Sequence, residues 1–430
     1  MKISFHTLGC KLNFSETSFI SNDLKKNGFI EVNFNEIADI YVINTCTVTE
    51  NANKECQYLI RKALKKNPNG KIVIMGCYAQ LKPNEIAKLH GVNLILGNNE
   101  KFKLKEYLIN LKTQKKPIII KKDSSELHDF QSSFSFGTRT RSFLKIQDGC
   151  NYKCTFCTIP LARGRSRSDN IDKIIKNIKK LKKEGVKEIV LTGVNIGDFS
   201  TNNNEKFIDL LKKINTIKNI RIRISSIEPN LLTNEIIELV KNSTVLLPHF
   251  HIPLQSGSDT ILKFMKRRYL TKQYQEVIQK INNEIPNACI GVDVIVGFPG
   301  EKDEYFNETV TFLKSLDISY LHVFTYSERE NTLAIKMTDI VSKDKRKYRS
   351  QILRNLSDKK TQYFYQKNIG SIQQVLFESK TNDSYIYGFS ENYIKIKSRY
   401  SNNLENSLQK ISINNIEYGH TNYAIGTLIN

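Results

Sequence analysis

The sequence predicts an α/β protein in three parts: a parallel α/β amino-terminal domain, a partial (βα)6 barrel and a small carboxyl-terminal antiparallel β-barrel. Three observations carry this. Short β-rich runs alternate with helical patterns through most of the chain, which is the signature of βαβ units and parallel sheets. The alternation is interrupted once, by the polar, serine-rich stretch 113–141, which has no sustained period and reads as a linker. From about residue 370 long helical periods give way to short alternating runs, as in small barrels.

In residues 1–112, strands are expected at 2–7, 39–44, 71–75 and 93–96, with helices at 15–26, 50–65, 83–89 and 100–111. Residues 142–335 repeat the alternation with strands at 143–146, 187–191, 220–225, 249–253, 290–296 and 320–325. The first intervening helix is read from Ile171, Ile174, Ile175, Ile178 and Leu181, which recur at helical spacing with lysines between them. Six strands are too few for a full eight-stranded barrel, so an open barrel is expected, with its chemistry at the carboxyl ends of the strands. Residues 336–369 form a basic helical connector. In 370–430 the alternating runs fall at 373–377, 384–388 and 393–397.

A chain of 430 residues is too long for one ordinary core, which agrees with this division. No apolar run reaches the roughly 18 residues needed to span a bilayer, and the opening MKISFHTLGCKLNF lacks a secretory apolar stretch. A cytoplasmic protein that does not engage membranes is expected. The formal net charge of +22 points to a polyanionic partner, nucleic acid first. The competing account is solvated surface lysine. Residues 139–168 hold seven Lys or Arg against one acid, Asp148, and residues 336–368 hold ten against three.

Of the eight cysteines, Cys150, Cys154 and Cys157 stand in CxxxCxxC spacing on one short loop after the first barrel strand. Soft thiolates select Fe–S clusters or zinc. Zinc usually takes four protein ligands, whereas three thiolates on a four-iron cluster leave one iron open, which fits a cluster that chelates S-adenosylmethionine (SAM). Cys10, Cys46 and Cys77 each stand just past an expected strand, so a parallel sheet would place them along one edge, able to share a second cluster. Gly9 and Gly76 precede two of them and would let the backbone turn closely. The competing reading is three buried core cysteines. Cys56, within a helix, and Cys289, at a strand start, are read as core.

Together, TLGCKLN, INTCTVT, MGCYAQ, DGCNYKCTFCTIPLARGRSRS, LTGVNIG, HIPLQSGSD, VDVIVGFPGE and YGFSENYIKI resemble the methylthiotransferases of the radical SAM class over essentially the whole chain. The resemblance implies an amino-terminal domain with an auxiliary [4Fe–4S] cluster on Cys10, Cys46 and Cys77. It implies a radical SAM domain whose [4Fe–4S] cluster sits on Cys150, Cys154 and Cys157, and a terminal TRAM barrel. TLGCKLN and ARGRSRS look most like the branch acting on threonylcarbamoyladenosine of tRNA. The isopentenyladenosine branch and the ribosomal-protein aspartate branch are the alternatives, and an RNA-binding Fe–S or zinc protein is the non-enzyme one.

By the same resemblance, a methylthio group would be added to carbon 2 of the modified adenosine 3′ of the anticodon. An aromatic C–H is too inert for side-chain acid–base chemistry, so a cofactor must activate it. Gly193, Asn195, Ser226, Gln255, Asp293 and Gly297, with Gly300 beside the last, are candidate SAM contacts. Arg163, Arg165 and Arg167 are expected to bind a phosphate or a substrate carboxylate, against a structural salt bridge. The implied partners are a tRNA anticodon stem-loop, an electron donor such as flavodoxin or ferredoxin, and a sulfur donor.

Overall fold

Six parallel strands form the amino-terminal sheet: β1 (Lys2–Thr7), β2 (Ile30–Val32), β3 (Ile40–Thr45), β4 (Lys71–Gly76), β5 (Val92–Leu96) and β6 (Ile118–Ile120), in the order β2-β1-β3-β4-β5-β6. Every residue of β3 is buried, as the centre of a sheet covered on both faces requires. Helices α1 (Lys11–Lys26), α2 (Glu50–Lys66) and α3 (Cys77–Leu81) follow β1, β3 and β4. The computed structural model describes residues 1–47, 50–109, 111, 116–137, 139–379, 384–419 and 421–429. The expected boundary at 112/113 lies outside these residues.

The stretch 113–141, read from its composition as a linker, contributes two strands. Strand β6 extends the amino-terminal sheet by pairing with β5, and β7 (Ser133–Phe134) pairs antiparallel with β8 (Arg141–Lys145). After β8, the short strand β9 (Gln147–Asp148) pairs antiparallel with β10 (Arg167–Ser168). The remaining barrel strands are β11 (Glu188–Thr192), β12 (Arg221–Ile224), β13 (His249–His251), β14 (Cys289–Val296) and β15 (Tyr320–Thr325). They form one sheet ordered β12-β11-β8-β7 and another ordered β13-β14-β15. Parallel bridges Ile222–Leu246 and Ser226–His251 join the two sheets. Six parallel strands thus make the open barrel that the sequence predicts. Isoleucines and leucines from the strands and their crossover helices fill one continuous core on the outer face.

The basic helix Lys343–Gln366 packs against β15 and leads to β16 (Ile372–Phe377), β17 (Tyr385–Ser390), β18 (Lys395–Arg399), β19 (Leu408–Glu417) and β20 (Tyr423–Leu428). These close into a five-stranded barrel ordered β16-β17-β18-β20-β19. Its pairings are antiparallel except β18–β20, which is parallel and closes the ring.

Candidate active site

Gly149 (φ +70°) turns the chain out of β9, and a side chain there would strike the Arg165 carbonyl. The next segment carries Cys150, Cys154 and Cys157, all half-buried. Cys150 N–H bonds the Gly164 carbonyl at 3.1 Å, and Thr155 ties the loop to Phe264 and Met265. Two backbone donors aim at sulfur: Tyr152 N–H at Cys150 Sγ (3.3 Å) and Ile159 N–H at Cys157 Sγ (3.4 Å). Arg267 Nη1 donates to Cys154 Sγ at 3.1 Å and is ion-paired with Glu228. Burial pushes the Cys150 thiol to about 11 and the Cys157 thiol to about 12, each thiol being further raised by its neighbours. For Cys154 burial also raises the value and Arg267 opposes it. Metal-free, the thiols are therefore protonated near neutrality, and a cluster that binds them displaces protons.

The second cysteine set is built by sheet order. Strands β1, β3 and β4 are adjacent, and Cys10, Cys46 and Cys77 follow their carboxyl ends. Gly9 (φ +93°) allows the closest approach: a Cβ there would lie 2.6 Å from Cys46 Cβ and 2.9 Å from Cys46 Sγ. Gly76 (φ +99°) does the same between β4 and Cys77, packed on Asn44 and Thr45. Cys10 and Cys77 lie within electrostatic range of one another. Cys56 and Cys289 are buried among apolar neighbours, as expected of core residues.

Between the two sets lies a buried ionic network that sequence reasoning missed. Glu16 of α1 accepts from Lys101 (2.6 Å), Lys145 (2.9 Å) and Arg163 (3.0 Å), and Asp148 accepts from Lys145 (2.7 Å), Arg163 (2.9 Å) and Arg167 (3.1 Å). These cations hold the Glu16 carboxyl well below the usual range despite its burial. Asn98 Nδ2 donates to the Ala162 carbonyl (2.7 Å) and lies 3.6 Å from Cys77 Sγ, while its Oδ1 accepts from Lys101 (2.9 Å). A continuous chain of polar contacts therefore runs from Cys77 to the segment that follows Cys157. The expectation that Arg163 and Arg167 bind a ligand is corrected: both are engaged in this network, and Arg163 is buried. Arg165 is exposed.

The candidate SAM contacts divide. Gln255 and Asp293 share a cavity of about 230 Å³ with Phe156, Cys157, Ile295 and Tyr326, beside the cluster loop. Asn195 is buried, and neither atom of its side-chain amide has a partner among the described residues, so it has polar capacity for a ligand. Gly193 packs on Gln147, whose Oε1 accepts from Val194 and Asn195 N–H groups at 2.9 Å. Ser226 is at the β12 end, bridged to His251, which contacts Asp293 at 2.7 Å. At Gly297 (φ +76°) the absent side chain makes room for Arg346 of the basic helix, whose Cγ a Cβ there would strike. Gly300 faces Phe264. Three thiols on one loop, one of them lining a cavity that also holds Gln255, Asp293 and a Tyr326 hydroxyl unpartnered among the described residues, fit a cluster that shares its open iron with SAM, and the strand-edge cysteines fit a second.

The chain matches the radical SAM superfamily over residues 144–313 and the uncharacterized protein family UPF0004 over residues 2–97. It is 39% identical to a threonylcarbamoyladenosine tRNA methylthiotransferase of Aquifex aeolicus, over 92% of this chain and 96% of that one. It is 36% identical to a tRNA-2-methylthio-N(6)-dimethylallyladenosine synthase of Clostridium tetani, over 88% and 85%. In fold it is similar to a radical S-adenosylmethionine methyltransferase, TsrM, from Kitasatospora setae (TM-score 0.57, 12% identity, 78% of this chain and 77% of that one).

Proposed function

We propose a function from one premise: the chain belongs to the radical SAM methylthiotransferases, with the threonylcarbamoyladenosine tRNA enzymes. It is a tRNA methylthiotransferase that adds a methylthio group to carbon 2 of threonylcarbamoyladenosine. The observation that carries this reading is the pair of three-cysteine sites joined by one buried network across the domain junction. When bound, SAM and the two [4Fe–4S] clusters supply the methyl group, the radical chemistry and a site for the sulfur. The protein's residues position these groups. The Glu16–Arg163–Asp148 network ties α1, which follows Cys10, to the segment that follows Cys157, as a reaction that uses both cysteine sets requires. Gln255, Asp293 and Asn195 offer polar contacts to SAM, and Phe156, Ile295 and Tyr326 give it an apolar wall.

The RNA would approach along a groove of about 580 Å³ lined by Lys54, Lys343, Arg346, Lys347 and Arg354. This groove shares Phe324 and Tyr326 with the cavity beside Cys157, so a backbone held by its lysines leads an unstacked base to the site. Among the described residues no helix is long and apolar enough to cross a membrane. A cytoplasmic setting, an electron donor such as flavodoxin or ferredoxin, and a separate sulfur donor complete the reading. Nucleoside mass spectrometry of tRNA from cells lacking the gene tests it: the methylthio mark on threonylcarbamoyladenosine should vanish. If that mark persists and the one on isopentenyladenosine is lost, the substrate is wrong.

A further inference from the structure

Lys11 follows Cys10 directly and opens α1. Its side chain is exposed, and no hydrogen bond or ion pair engages its ammonium among the described residues. The charges that reach it belong to Tyr393, Arg141, Arg223 and Glu188, and its own charge reaches His249 and His322. Strand register places Glu188, Arg141, Arg223 and His322 on the inner face of the barrel. Glu188 pairs with Arg141 and Arg221, Val190 pairs with Arg223, and Asp293 pairs with His322, while the alternate residues Ile189, Leu191, Ile222 and Ile224 fill the outer core. The ammonium at the start of α1 is therefore within electrostatic range of groups on the inner face of the barrel. That interior is accessible: His322 and Phe324, on the inner face of β15, are both exposed.

The neighbouring cations are satisfied. Arg223 pairs with Glu188 (2.9 Å) and donates to the Ser390 and Glu391 carbonyls, Arg221 pairs with Glu188 (2.9 Å), and Arg141 pairs with Glu378 (3.0 Å). Among the described residues Lys11 is the one of these four cations with no ion pair. An unpaired ammonium in electrostatic range of the Arg141 and Arg223 guanidinium groups gains from a ligand that brings negative charge.

We infer that Lys11 is the specificity residue that binds the carboxylate of the substrate's threonyl group. The inference rests on the proposed function, because threonylcarbamoyladenosine ends its N6 substituent in a carboxylate and isopentenyladenosine does not. N6 and carbon 2 lie on different edges of the six-membered ring. An adenine that offers carbon 2 to the cysteines directs its N6 substituent to another part of the site, where an unpaired ammonium in electrostatic range of the barrel's inner face is available to meet it. A charge-assisted bond of this kind is worth roughly 10- to 100-fold in affinity.

The test uses the full-length, cluster-loaded enzyme and three anticodon stem-loop RNAs. One carries threonylcarbamoyladenosine, one its carboxamide analogue, and one isopentenyladenosine. Binding without SAM and methylthiolation with SAM are both measured, with iron content counted in each variant. Wild type should bind the acid roughly 10- to 100-fold more tightly than the carboxamide. Lys11→Met should abolish that preference by weakening only the acid, and Lys11→Arg should keep most of it. Equal binding of acid and carboxamide by a wild-type enzyme that methylthiolates the acid overturns this inference and leaves the function standing. So does a Lys11→Met variant that weakens both RNAs equally, since the cation then holds a group they share. Methylthiolation of the isopentenyl RNA alone overturns the function itself. Should Lys11→Met fail to load iron, the wild-type comparison still decides.

Discussion

The thiols differ in task although they share a ligand chemistry. Cys154→Ala should abolish SAM cleavage, read as loss of 5′-deoxyadenosine. Cys46→Ala should keep SAM cleavage and lose the methylthio product, and equal loss of cleavage in both would argue against two separable sites. Glu16 makes a different prediction. Its carboxylate faces three cations, Lys101, Lys145 and Arg163, with no exposure to water. Glu16→Gln leaves them short of one negative charge and should cost about 3–5 kcal/mol in chemical unfolding, with iron lost from both cysteine sets. Unchanged stability and full iron content would refute that placement. The cysteines were legible in the sequence because clustered thiols have few other uses. Glu16, Asn98, Lys101 and Arg267 were not, because a polar or charged residue on its own reads as surface. Glu16 and Arg163 lie 147 positions apart, and nothing local announces the pair.

Helix Lys343–Gln366 connects residue chemistry to the larger architecture. Lys343, Lys347 and Arg354 follow helical spacing along one face of the basic groove, while Arg346 and Arg349 turn inward to Glu328 and Glu301. The Lys343→Glu/Lys347→Glu double variant should weaken tRNA binding at least 10-fold and flatten the salt dependence of log Kd. SAM cleavage measured without RNA should not change. A loss of affinity with the original salt slope would mean that the groove does not track phosphates. The helix was readable from its periodicity, but its two faces were not, since both are basic. Strands β6 and β7 escaped reading because two- and three-residue runs flanked by lysines and serines have no internal period. Each is a strand because an established sheet edge offers it hydrogen bonds. Gly297 shows the converse: its glycine was legible, but the neighbour that needs the space, Arg346, is 49 positions away.

At the scale of the molecule, the carboxyl-terminal barrel is fastened to the open one through Glu188. That buried carboxylate holds Arg221 and Arg223, which also donate to the carbonyls of Gln374, Phe389, Ser390 and Glu391. The two guanidinium groups overcome burial and depress the Glu188 carboxyl to about 2. A carboxyl depressed by folding stabilises above its unfolded value, near 4.5, and that contribution disappears as pH falls toward 2. Glu188 should thus contribute about 3 kcal/mol near neutrality. Chemical unfolding of the metal-free protein, compared with Glu188→Gln, checks this: the difference should shrink between pH 5 and 3, and a difference that grows on acidification would reverse the sign. By itself the sequence determined the three-part α/β architecture, the strand ends that carry both cysteine sets and the family of chemistry, because periodicity and ligand spacing are properties of neighbouring residues. Only the tertiary structure decided what joins the two sets and which arginines are structural. Those facts depend on charges buried together from distant segments, and burial is what makes each pairing obligatory.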